Sequence, residues 1–289
     1  MKRISKRVLI PLTAVLVLLC GVMIFFAVRR DITYRIKTDL KAAFAPSFAL
    51  QEVETETIQV SLAELQADSR VHFDQSMMLI SDRYLLTEDF SADVSTYGDS
   101  DVLMNTCIHD AYRALAEHIA KAFDQKLYVR SAFRTPEEQL EEEHANADTA
   151  TKVGASEHQA GLALDVYVPY YAGKAFLKTE VGRYVNSYCH EYGFIIRYPS
   201  YGTSETGIPY EPWHLRYVGF PHAEIIAKHY LTLEEYIGSM EHGKLYAYQT
   251  YVISRQSGTE FAVPREFRSA TISPDHTGAY ILTDRKSVV

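Results

Sequence analysis

Ser156-Glu157-His158-Gln159-Ala160-Gly161-Leu162-Ala163-Leu164-Asp165 decides how the rest of the chain reads. It sets an imidazole and a carboxylate seven residues apart, with a glycine between them. Gly161 to Val168 alternates and is rich in Leu, Val and Tyr, the pattern of a strand. His158 then sits on the turn entering that strand and Asp165 on the strand itself. Forty-six residues beyond Asp165, Glu211-Pro212-Trp213-His214 leads into a second strand-like run, His214 to Val218. His158, Asp165 and His214 make a three-ligand metal set that leaves a fourth tetrahedral position open to water. Glu211 stands three residues before the third ligand.

Zinc in such a set, one ion per chain, lowers the pKa of its water to about 7. A carboxylate at Glu211 can take the water's proton and hand it to a leaving amine. These pieces point to metal-assisted hydrolysis of an amide. No HExxH helix is present, so the ligands must come together from strands distant in sequence. A third element faces the same chemistry. Leu127 to Phe133 reads as a strand ending at Arg134, and Thr135-Pro136-Glu137-Glu138 starts a helix with an N-cap hydroxyl and a first-turn proline. Arg134 is thereby held at a strand end, where a cation can grip a carboxylate or an oxyanion. From this stretch alone an ordinary salt-bridging arginine is an equally good reading.

The chain has 289 residues, 47% of them hydrophobic, and a net charge of -8. That balance argues against nucleic acid as a partner, which calls for a basic face. Three cysteines, Cys20, Cys107 and Cys189, are too few for a disulfide framework or a thiolate metal site. Cys107 and Cys189 read as buried free thiols, with a single bridge between them as the alternative.

Lys2, Arg3, Lys6 and Arg7 precede an uncharged run, Val8 to Val28. At about 1.5 Å per residue this run would span the roughly 30 Å hydrocarbon core. It ends without a small-residue cleavage site. The expectation is therefore an uncleaved single-pass anchor, residues 1–30 with the basic tip. Residues 31–73 read as a stalk, 74–240 as the catalytic domain and 241–289 as a small β extension. Within the domain, Met77 to Ile80 reads as a first strand and Asp99 to Phe123 as the strongest helix. His109 and His118 lie on that helix but not on one face, so they read as ordinary histidines. Thr179 to Tyr192 reads as a helix stopped by Gly193, and Pro199 to Pro209 as a flexible loop beside the second motif, able to act as a lid.

Taken together, Ser156-x-His158-x-x-Gly161-x-Ala163-x-Asp165 and Glu211-x-x-His214 resemble the zinc D-alanyl-D-alanine carboxypeptidases of the VanY type. These belong to a wider group with VanX, the lysostaphin-like peptidases and the hedgehog domain. Glu211-Pro212-Trp213-His214-x-Arg216-Tyr217-Val218-Gly219 extends the match. Ser131-Ala132-Phe133-Arg134-Thr135, with Gln139 beyond it, resembles the family's Ser-Gly-Tyr-Arg-Ser element, but Ala132, Phe133 and Thr135 depart from it. The resemblance implies an α+β fold, a central antiparallel sheet flanked by helices, here with an N-terminal transmembrane helix and a small C-terminal β extension. It implies zinc on His158, Asp165 and His214, Glu211 as general base and then acid, and Arg134 as oxyanion or substrate clamp. Ser156 and Gln139 would line the substrate pocket. The implied activity is D,D-carboxypeptidase removal of D-Ala from peptidoglycan stem pentapeptides or precursors, which in some members contributes to glycopeptide resistance. The implied location is a bacterial cell membrane with the domain outside. An L,D-carboxypeptidase acting on tetrapeptide stems is the alternative, and an inert peptidoglycan-binding or sensing module is the alternative of another class.

Overall fold

Strand His214–Tyr217 lies antiparallel to strand Ala163–Tyr167, with Asp165 directly opposite His214. Two further antiparallel strands complete a four-stranded sheet in the spatial order Tyr128–Ser131, Ala163–Tyr167, His214–Tyr217, Phe194–Ile196. This computed structural model describes residues 18–145 and 151–285 of the chain.

One face of the sheet is covered by helix His109–Phe123. Its Tyr112, Leu115 and Ile119 are buried, in one core with Leu164, Val166, Phe194 and Leu215 from three of the strands. The i, i+3, i+4 spacing of such residues gives a helix its apolar stripe. Each fully buried Leu or Ile is worth roughly 1.5–3 kcal/mol, so this packing sets the level of the strands. The helix begins later than its periodicity predicts. Leu103–Asn105 is instead a strand paired with Val94–Thr96, because the Asn105 amide donates to the Gly161 carbonyl and ties the segment to the first motif. Met77 to Ile80, expected as a strand, is a buried segment outside the sheets.

The second helix, expected over 179–192, runs Glu180–Tyr188 and tightens into a 3-10 turn, Cys189–Tyr192. Gly193 ends it at a φ of 80°, in the left-handed region that glycine enters at least cost. The region Pro199 to Pro209 holds a 3-10 turn, Ser200–Gly202, and a short helix, Thr203–Thr206. Cys189 is buried and Cys107 partly so, and both are free.

The expected fold needs two corrections. The C-terminal β extension is not a small appendage. Its strands form the larger sheet, ordered Gln51–Glu52, Leu245–Tyr248, Tyr251–Gln256, Tyr280–Arg285, Ser269–Pro274, Val71–Phe73. Residues read as stalk thus supply both outer strands, while Thr57–Ser61 pairs with Glu260–Pro264. The hydrogen bonds join segments about 200 residues apart, which local patterning does not register.

The transmembrane helix is the other correction. Among the described residues no helix is long and apolar enough to cross a membrane. Residues 8 to 17 of the run lie outside the described residues. Residues 18 to 28 are helical. Arg29 then leaves the helical conformation, and the Tyr34 hydroxyl of helix Arg30–Ala43 accepts from Ser187 Oγ on helix Glu180–Tyr188.

A second core joins the two sheets. Ile195, Val218, Ile226 and Tyr236 pack with Tyr246, Ile253 and Ile281. Fully enclosed in this seam, His222 meets the Tyr236 hydroxyl through Nδ1 at 2.7 Å and the Thr283 hydroxyl through Nε2 at 2.8 Å. Burial disfavours its charged form and pushes its pKa down to about 3. In the unfolded chain the same group titrates near 6.5, so between those values the unfolded state binds the extra proton. Stability therefore falls as pH drops below about 6.5 and levels off near 3. Urea unfolding at pH 7.5 and 5.0 should show about 2 kcal/mol lost on acidification from this group. His222→Gln should remove that part of the slope; an unchanged slope in the variant would refute the assignment.

Candidate active site

His158 sits on the 3-10 turn Glu157–Ala160 that feeds strand Ala163–Tyr167. Gly161 closes the turn at a φ of 66°. A Cβ there would stand 2.7 Å from Val94 Cγ1 and 2.9 Å from the Asn105 amide nitrogen, so both the turn and its close seat require glycine. His158 Nδ1 is 2.7 Å from the Ala132 carbonyl oxygen. That oxygen only accepts, so Nδ1 carries the hydrogen and Nε2 presents its lone pair. Nε2 faces Asp165 Oδ1 at 3.6 Å. From the neighbouring strand His214 Nδ1 faces the same oxygen at 3.2 Å.

The donor atoms of His158, Asp165 and His214 all lie within 4.8 Å of one another. Asp165 Oδ1 is buried and without a hydrogen-bond partner. An orphaned buried carboxylate oxygen is costly unless a cation faces it. The electrostatics agree. Burial alone would raise the Asp165 carboxyl, yet His158 and His214 hold it well below the usual range. Burial disfavours a charged His214, yet the Asp165 and Glu157 carboxylates beside it outweigh this and push its pKa up to about 10. The pocket is thus built around a positive charge at the place where three converging donors would hold a metal.

Glu211 Oε2 lies 3.6 Å from His214 Nδ1. Its backbone amide donates to the Tyr198 carbonyl, and its own carbonyl accepts from the His214 amide, so a short turn fixes the carboxylate beside the ligand set. Burial raises its pKa; His214 and His158 oppose this and Asp165 adds to it. A carboxylate with raised proton affinity is suited to collecting a proton and releasing it.

Arg134 follows the edge strand Tyr128–Ser131, and its amide donates to the His158 carbonyl. Its guanidinium donates to Gln139 Oε1 at 2.8 Å and Ser131 Oγ at 3.0 Å. Both partners are neutral, so these two bonds orient the cation without neutralising it. Gln139 is fully buried and donates in turn to the Thr151 carbonyl. Its carboxamide is therefore engaged at both ends, bracing Arg134. Ser156 is buried at the cleft floor. The cleft has a volume of ≈ 580 Å³, and Arg134, Ser156, Glu211 and the three metal-site residues all line it. Arg130, Lys174 and Trp213 line it too.

The sequence reading overlooked Glu157, Arg197 and Arg216. All three are buried, and both arginines bond the Glu157 carboxylate. Charged residues in or beside strands and turns read as solvent-facing; only the placing of Arg216 next to Leu215 and Arg197 next to Ile196 hinted at a second buried face.

Residues 101–220 match the VanY family model, described as D-alanyl-D-alanine carboxypeptidase. The bifunctional D-Ala-D-Ala dipeptidase and D-Ala-D-Ala carboxypeptidase VanXYC of Enterococcus gallinarum is 33% identical over 162 residues, covering 50% of this chain and 82% of that protein. The chain belongs to the VanY family. Among other members of that family, a D-alanyl-D-alanine carboxypeptidase of Enterococcus faecium is 34% identical over 157 residues, 52% of this chain. The match spans 50% of that enzyme's own length. The crystal structure of VanYB in complex with D-alanine-D-alanine superposes with a TM-score of 0.50 at 27% identity, over 57% of this chain and 99% of that one.

Proposed function

We propose that this chain is a zinc-dependent D,D-carboxypeptidase that removes the terminal D-Ala from peptidoglycan stem pentapeptides or their precursors. The convergence of His158, Asp165 and His214 within 4.8 Å, in a cleft that also holds Glu211 and Arg134, carries the reading. Two imidazoles and one carboxylate suit zinc. Bound there, the ion would supply Lewis acidity to the attacking water and the scissile carbonyl.

The chain's own groups do the rest. Glu211 takes the proton of the attacking water and returns it to the departing D-Ala amine. Arg134, braced by Gln139 and Ser131, grips the terminal carboxylate or the developing oxyanion. Arg130 and Lys174 line the same cleft and favour an acidic peptide. Acting on stems of the mature wall, the catalytic domain would lie outside the cytoplasmic membrane. Trimming those stems would remove the D-Ala-D-Ala ends that glycopeptides bind.

The test is incubation with L-Ala-γ-D-Glu-L-Lys-D-Ala-D-Ala and with the tetrapeptide lacking the last residue, each with and without chelator. Mass analysis should show one alanine lost from the pentapeptide, abolished by chelator and restored by zinc. Alanine lost only from the tetrapeptide would assign L,D-specificity instead. Cleavage of neither by zinc-loaded protein would contradict the enzyme reading. In the same assay Arg134→Ala should lower kcat/KM roughly 100-fold or more, with zinc content unchanged. Undiminished turnover would return Arg134 to a structural role.

A further inference from the structure

We infer that Glu157 is a positioning residue that fixes which nitrogen of His214 faces the metal and how its ring is held. The inference rests on the zinc reading above. Glu157 lies beside the candidate ligand His158 in sequence, and its side chain is wholly enclosed, held by Arg197 and Arg216. Its two oxygens have different surroundings. Oε1 accepts from Arg197 Nε at 2.7 Å and from Arg216 Nη1 at 2.6 Å. Oε2 lies 3.5 Å from His214 Nε2. Both of these atoms are buried, and neither has a hydrogen-bond partner, so each is placed for the other. Two guanidinium bonds on Oε1 prevent the carboxylate from turning away.

The arginines are themselves anchored. Arg216 donates to the carbonyls of Ser76 and Met78 and is fully buried. Arg197 forms a two-point pair with Glu234, at 2.9 and 2.6 Å. Two carboxylates and two guanidiniums balance, so the cluster brings no net charge to the metal site. Such buried pairs rarely add stability over apolar packing of the same volume. A role in orienting a neighbour accounts for this one better. A carboxylate accepting the Nε2 hydrogen leaves Nδ1 as the lone-pair nitrogen, and Nδ1 is the atom facing Asp165 and Glu211. A carboxylate behind a metal-binding histidine also raises its basicity, and losing such a partner typically weakens metal binding 10–100-fold.

The test uses the full chain with zinc itself as probe. Zinc affinity, measured by competition with a chelator, should fall 10–100-fold in Glu157→Gln. Glu234→Gln breaks the same cluster one link farther out, and should bind zinc as wild type does even where its unfolding temperature drops. In the zinc-loaded wild type, nitrogen NMR of the imidazoles should show His214 ligated through Nδ1, with a slowly exchanging hydrogen on Nε2. That spectrum decides the matter even where Glu157→Gln does not fold. Unchanged affinity in Glu157→Gln, equal losses in both variants, or ligation of His214 through Nε2 would each overturn the inference. Failure of the wild type to bind zinc would instead overturn the metal reading beneath it.

Discussion

Glu211→Gln is expected to lower D-Ala release by roughly 10³-fold while zinc content stays at one per chain, since general acid–base groups contribute about 10²–10⁴. The substitution keeps the side chain's size and its backbone anchors, the Tyr198 carbonyl and the His214 amide. It removes only the capacity to take and return a proton. Zinc is retained because the three donor atoms belong to other residues. The pH profile supplies a second signature. Burial raises the Glu211 carboxyl above its usual range, and only its deprotonated form can accept a proton. Activity should therefore fall as pH drops and Glu211 takes up a proton. Retention of more than about a tenth of wild-type turnover would remove Glu211 from the reaction, being less than the smallest contribution usual for such a group.

His214→Ala is expected to lose both metal and activity. With His158 and Asp165 alone the site keeps two donors, too few for zinc at catalytic affinity. Elemental analysis of the purified variant should find less than about a tenth of an equivalent of zinc, and no D-Ala should be released. His158→Ala should behave alike. The structure adds a consequence specific to His214. Truncating it leaves the enclosed Glu157 carboxylate without the group its Oε2 faces, so this variant should also unfold more easily than His158→Ala. A near-stoichiometric zinc content in either variant would contradict the ligand assignment.

Much of the site was legible because its motifs are short. Ser156 to Asp165 is a single turn and strand, and the alternation of that strand alone puts His158 at its entrance. Glu211 and His214 share another turn. The start of the helix at 109, not 99, was not legible, since the Asn105 amide bonds the Gly161 carbonyl in a distant segment. Nor was the larger sheet, whose outer strands come from residues 51–52 and 71–73. Short polar strands such as Gln51–Glu52 carry no periodicity and exist only through their partners. The reading of Val8 to Val28 as a membrane span rested on composition. Among the described residues no helix has the length and apolarity such a span needs.

By itself, the sequence pointed to the candidate ligand set, the neighbouring carboxylate and the family, because local spacing restricts which side chains can share a turn or strand end. Only the tertiary structure decided that Asp165 stands opposite His214, that Gln139 braces Arg134, and that Glu157 backs His214. Those relations depend on strand register and on burial. Both are settled by the packing of segments far apart in the chain, where a buried charge persists only if its partners arrive with it.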